Sequence, residues 1–90
     1  MTWKIEFTPK AAKELLNIDK REAKRILNFL KERVVQLNNP RTIGKPLKGE
    51  LREYWRYRVG KFRILCYIDD TKHQILVVKV AHRKEIYRGQ

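Results

Sequence analysis

Ninety residues suffice for one domain with a single modest core and are too few for two independently stable ones, so one domain over residues 1–90 is expected. With 22 Lys and Arg against 10 Asp and Glu, the formal charge of +12 exceeds what solubility alone favours and points to a polyanionic partner. No stretch approaches the roughly 20 apolar residues of a spanning helix, the N-terminus lacks the pattern of a signal peptide, and Cys66 is the only cysteine, so no intramolecular disulfide can form; a cytoplasmic chain that uses no membrane is expected.

Trp3, Ile5 and Phe7 alternate with Lys4 and Glu6, the period-two pattern of a half-buried strand. Thr8-Pro9 reads as an N-cap followed by Pro at the first helical position, and Ala11, Ala12, Leu15 and Leu16 supply the apolar stripe of a short helix. Asp19 caps a second, longer helix in which Ala23, Ile26, Leu27, Leu30 and Val34 recur at three- and four-residue intervals until Asn38-Asn39-Pro40 ends it. The basic residues between those positions read as a solvated outer face. From Arg41 to Glu50, Gly44, Pro46 and Gly49 mark a loop that also carries Lys45 and Lys48.

Leu51 to Val59 and Phe62 to Ile68 flank Gly60-Lys61 as a hairpin, Asp69 to Lys72 makes a second turn, and Ile75 to Ala81 reads as a final β-branched strand. The order β-α-α-β-β-β predicts an α+β domain in which a two-helix hairpin packs on one face of a mainly antiparallel four-stranded sheet, leaving the other face open. Alternation places Tyr54, Arg56 and Arg58 on one face of the hairpin and, with them, the set containing Arg63. Arg56, Arg58, Lys61 and Arg63 would then crowd together, which is unfavourable unless an anion fills the space.

Guanidinium groups suit phosphate through paired donors and keep their charge at neutral pH, so this face reads as a phosphate clamp. Edge charges paired with Glu50, Glu53 or Asp69 are the competing account, disfavoured because the hairpin holds far more cations than anions. His82 can move a proton near neutral pH, and Tyr87 can do so if cations lower its pKa. His73 reads as surface and Cys66 as a small buried hydrophobe. Two distant histidines, one cysteine and no clustered carboxylates supply no metal shell, and P-loop, GxGxxG and Ser-His-Asp patterns are missing. The enzyme class left is a nuclease working by acid–base chemistry without a metal or other cofactor.

The run Leu47-Lys48-Gly49, then Tyr54-Trp55-Arg56-Tyr57-Arg58-Val59-Gly60-Lys61-Phe62-Arg63-Ile64-Leu65-Cys66-Tyr67, closing on His82-Arg83-Lys84-Glu85-Ile86-Tyr87, resembles the RelE/ParE toxin superfamily, and within it the RelE branch. The resemblance spans nearly the whole chain. It implies the toxin of a type II toxin-antitoxin system: a metal-independent endoribonuclease, or mRNA interferase, that cleaves mRNA in the ribosomal A site and inhibits translation. A RelB-like antitoxin would neutralise it in a toxin-antitoxin hetero-oligomer. In that chemistry the ribose 2′-OH attacks the adjacent phosphorus, giving a 2′,3′-cyclic phosphate and a 5′-OH end, and cations stabilise charge on the non-bridging oxygens.

By position, the resemblance makes Arg63 a stabiliser of the scissile phosphate and Arg83 a stabiliser of the phosphate or the leaving group. Arg56 matches one member of a basic pair whose other position falls near Tyr54, a departure that leaves His82 or Tyr87 to take the 2′-OH proton. Tyr87 matches a tyrosine that stacks on a base. Lys45, Lys48, Arg58, Lys61, Lys84 and Arg88, with the basic residues of the helices, would hold RNA and the ribosome with salt-dependent affinity. A ParE-like toxin that binds DNA gyrase without nuclease activity is the alternative within the superfamily, and a non-catalytic module that binds RNA or an antitoxin is the alternative outside enzymes.

Overall fold

The alternation of Lys4, Ile5, Glu6 and Phe7 forms strand β1 (Lys4–Phe7) in the computed structural model of the chain, which describes residues 3–82. Thr8 then caps helix α1 (Pro9–Leu16), its Oγ1 accepting the Ala11 N–H at 3.1 Å, while Pro9 starts the helix at a position where no N–H is needed. Asp19 caps helix α2 (Lys20–Phe29) through the Arg21 N–H at 3.2 Å. Beyond Phe29 the helix widens into one π-helical turn, Leu30–Val34, closed by the Val35 N–H donating to the Leu30 carbonyl at 3.1 Å. The wider turn brings Val35 as well as Leu30 and Val34 into the core.

Among the described residues the sheet has five strands, in the order β1-β5-β4-β3-β2, one more than the four expected. The extra strand is β2 (Lys45–Pro46), antiparallel to β3 (Tyr54–Val59) and drawn from the stretch read as loop. Pro46 lacks an N–H and is tolerated only at a sheet edge, which is where β2 lies. Leu51 to Glu53, read as the start of a strand, instead close a 3-10 turn over Gly49–Leu51, with a positive φ (+68°) at Gly49, and the turn residues after it. Strands β4 (Phe62–Asp69) and β5 (Gln74–His82) complete the sheet. Among these strands only β1, paired with β5, runs parallel to its neighbour.

Both helices cover one face. Ala11, Leu15, Ile26, Leu30 and Val34 pack there against Tyr57, Val59, Ile64, Cys66, Ile75, Val77 and Val80, so the stripes read from helical and strand spacing meet in one core. Cys66 is fully buried and its thiol is pushed up by burial, as suits a small hydrophobe rather than a nucleophile. The opposite face, expected to be open, is partly covered: Leu47, with Leu51 beside it, folds over Leu65 and Ala81.

Strand β1 pairs with β5 only over Gln74 to Val77. At Val80 a helix side chain takes the place of the missing strand: Glu14 Oε1 accepts the Val80 N–H at 2.9 Å while its Oε2 lies 3.6 Å from Lys79 Nζ. Replacing Glu14 by Ala orphans a partly buried donor, and urea unfolding should show a loss of about 1–3 kcal/mol. Glu14→Gln keeps the acceptor and should lose less than half of that; equal losses for the two variants would show that the carboxylate charge, not the hydrogen bond, holds this edge.

Candidate functional site

The β3–β4 hairpin turns at Gly60, whose φ of +58° favours glycine. Its register sets Arg58 opposite Arg63, Arg56 opposite Leu65 and Tyr54 opposite Tyr67, which puts Tyr54, Arg56, Arg58 and Arg63 on the face away from the helices, as alternation predicted. The cations differ in depth. Arg58 and Lys61 are exposed and Arg56 is half-buried, whereas Arg63 is only 3 % exposed. Arg63 Nη1 donates to the Phe62 carbonyl at 3.1 Å and to the Gly60 carbonyl at 3.4 Å, so its guanidinium is oriented by the turn it follows. A sunken, pre-aimed guanidinium stabilises an oxyanion with little reorganisation, and Arg58 beside it raises the positive potential of the same spot.

His82 does not join this group. It pairs with Phe62, their rings 6.0 Å apart and edge to face, and Phe62 packs with Val59 against the helix-side core. The cause is a β-bulge: Cys66 pairs with Val77 but Leu65 pairs with Lys79, so Val78 is an extra residue and the alternation of β5 changes phase there. Unbroken alternation from Ile75 would have put His82 on the Arg63 side. Arg83, Lys84, Tyr87 and Arg88 lie outside the described residues. Lys45 and Lys48 are exposed on the approach to β3, with Lys45 directly opposite Arg56.

His73, read as surface, is half-buried and stacked on Trp3 with centroids 3.9 Å apart, at a φ of +55°, a structural role at the β4–β5 turn. Arg41, which spacing did not single out, grips Asp70 with two bonds of 2.8 and 3.2 Å and lies over Trp55; its hydrogen bonds hold the Asp70 carboxyl below the usual carboxylate range. Arg33 is the residue whose place matters most and whose signal was weakest. It was one cation among many on a helix face, yet the fold brings it to the edge of the sheet, where Phe29, Arg33, Ile43, Lys45, Arg56 and Arg58 line a cavity of about 290 Å3. Among the described residues no three His, Cys, Asp or Glu side chains gather as a metal site, and no helix is long and apolar enough to cross a membrane.

Residues 5–87 match the family described as ParE toxin of type II toxin-antitoxin system, parDE. Among characterised proteins the chain is similar to Toxin RelE of Mycobacterium tuberculosis (31% identity over 84 residues, 93% of this chain and 84% of the relative). It is equally similar to Toxin RelG of the same organism (31% over 88 residues, 98% of this chain and 99% of the relative). Among solved structures it resembles a chain of the toxin-antitoxin complex RelBE2 from Mycobacterium tuberculosis, with a TM-score of 0.84 and 28% identity over 92% of this chain and 100% of that one. A chain of the RelB-RelE antitoxin-toxin complex from Methanococcus jannaschii gives a TM-score of 0.71 and 28% identity over 93% and 96% of the two chains.

Proposed function

We propose that this chain, which belongs to the ParE toxin family of type II toxin-antitoxin systems, is a ribosome-dependent mRNA endonuclease of the RelE kind. The observation that carries this reading is the Arg63 guanidinium, sunk in the sheet face, braced by two carbonyls and set opposite Arg58. Similarity to the toxins RelE and RelG supports the branch. In the proposed reaction the 2′-OH gives up its proton and attacks phosphorus, Arg63 with Arg56 stabilises the charge on the non-bridging oxygens, and the P–O5′ bond breaks as the 5′ oxygen takes a proton from water. Arg83 would assist at the phosphate or leaving group and Tyr87 would stack on a base and accept the 2′-OH proton, roles that rest on resemblance.

His82 projects from the Phe62 side and would reach the same phosphate only around the end of the sheet, so the proton role passes to Tyr87. Lys45, Lys48, Arg58 and Lys61, with Lys84 and Arg88, would bind mRNA and ribosomal RNA, and an A-site substrate would supply the in-line alignment that a small open face lacks. We propose further that a single domain acts in the cytoplasm and is neutralised there by a RelB-like antitoxin, since the structures it resembles include complexes of RelE with RelB.

Mapping cleavage of mRNA on programmed ribosomes with end-group analysis tests this reading. Cuts in the A-site codon bearing a 2′,3′-cyclic phosphate, seen only when ribosomes are present, are expected. The separation of His82 from Arg63 favours one second reading, a ParE-like gyrase inhibitor. Inhibited DNA supercoiling with intact mRNA would select it and overturn the first.

A further inference from the structure

The sheet face away from the helices carries different chemistry at its two ends. Arg58 faces Arg63 at one end of the β3–β4 ladder, and Tyr54 faces Tyr67 at the other, about 13 Å along β4 from Arg63. The two phenol rings meet edge to face with centroids 6.4 Å apart. Tyr54 packs against the cluster of Leu47, Leu65 and Ala81, whereas Tyr67 stays 39 % exposed, one of three large hydrophobic side chains exposed among the described residues. The others, Leu16 and Ile43, lie at the end of α1 and ahead of β2, so of these only Tyr67 shares the face of Arg63. Its neighbours there are Tyr54 and Leu76 across the ladder and Leu65 and Asp69 along the strand, none of them a cation. The Asp69 carboxylate is taken up by its own turn, accepting the Lys72 N–H at 3.1 Å.

A cross-strand pair of aromatic rings stabilises a hairpin by itself, which accounts for the contact but not for a ring left in water at the end of a cationic face. A phosphate finds no counter-charge beside Tyr67. A nucleobase is uncharged and flat, and it stacks on a phenol ring whatever its identity because every base has a π-face. The backbone that carries the base can stay on the arginines: a stacked strand covers at least about 3.4 Å per nucleotide, so no more than about four nucleotides span the gap. We propose that Tyr67 is the platform on which one base of the bound RNA stacks, within about four nucleotides of the phosphate at Arg63, and that this contact biases cleavage towards a purine at that position. The purine follows from area, since two fused rings cover more of the phenol than one. The inference rests on RNA binding along this face as proposed above, and it concerns a residue that holds no phosphate.

Cleavage of an mRNA pool randomised around the A-site codon, on programmed ribosomes with sequencing of the ends, reads the bias directly. The parent chain should favour a purine at one fixed position within about four nucleotides of the cut. Tyr67→Ala should erase that preference and slow cleavage of the favoured sequences about 10-fold, within the range for one stacked base. Tyr67→Leu, which keeps an apolar side chain opposite Leu76, should do the same, and Tyr67→Trp should retain the preference. A second measurement needs no cleavage. The parent should bind a purine 2′-O-methyl hexaribonucleotide, which cannot be cut, about 10-fold more tightly than the same backbone with abasic units. Tyr67→Leu should lose that difference while binding the abasic strand within about 2-fold of the parent. If ribosomes support no cleavage, the nuclease reading falls and the abasic comparison alone decides the platform. A purine preference unchanged in Tyr67→Leu, equal weakening of both oligonucleotides by that variant, or a parent chain that binds the two alike would each overturn the proposal.

Discussion

Tyr57→Ala is expected to lower the unfolding free energy by about 3–5 kcal/mol, the range for removing a large aromatic ring from a packed interior. Tyr57 is fully buried on the helix side of β3, edge to face with Phe29 at 6.1 Å, and Gly44 lies so close that an added Cβ would stand 3.0 Å from the Tyr57 ring. Its hydroxyl donates to the Pro40 carbonyl, and burial pushes the phenol up, so the donor keeps its proton throughout the neutral range. One ring therefore holds three elements together: α2, β3 and the segment over residues 40–46 that carries Lys45. Against a total stability of about 5–15 kcal/mol for a small domain, its loss removes a large share of the margin.

Tyr57→Phe separates the packing from the hydrogen bond. It removes the hydroxyl's hydrogen bond to the Pro40 carbonyl and should cost about 0.5–1.5 kcal/mol, with faster amide exchange in the segment that carries Ile43 and Lys45. Urea unfolding monitored by circular dichroism measures both variants. A loss for Tyr57→Phe as large as that for Tyr57→Ala would mean that the hydrogen bond, not the ring, fastens the segment.

The features legible from residue order were those with local causes. Thr8-Pro9 and Asp19 start helices because caps act within one turn, and Gly60 makes its turn because of its own backbone freedom. Alternation also gave Arg56, Arg58 and Arg63 their common face, since β3 and β4 form a regular hairpin whose short turn sets the register. What stayed hidden depended on distant partners. Strand β2 exists only because residues 45–46 meet β3; their own composition reads as loop. The phase of β5 reverses at Val78, and a one-residue bulge between two runs of β-branched residues leaves no compositional mark, yet it moves His82 to the other face. Arg33 looked like any solvated helix cation until tertiary packing brought α2 beside the edge of β3.

Arg63→Ala is expected to reduce ribosome-dependent mRNA cleavage about 10²–10³-fold, the effect of losing one preorganised donor to a developing oxyanion. The difficulty is that Arg63 is also a buried side chain, 3 % exposed and bonded to the carbonyls of Gly60 and Phe62, so an alanine could act through the fold. Arg63→Met resolves this: it restores most of the length and packing of the side chain and removes the charge. Because desolvating a guanidinium is itself unfavourable, the melting temperature of Arg63→Met should stay close to that of the parent chain while cleavage falls as far as in Arg63→Ala. Arg63→Lys keeps a charge but loses the planar fork that engages two oxygens at once, and should retain an intermediate rate. Full cleavage by folded Arg63→Met would remove Arg63 from the chemistry and leave it as the brace of the β3–β4 turn; low cleavage with an unchanged melting temperature places the guanidinium at the phosphate.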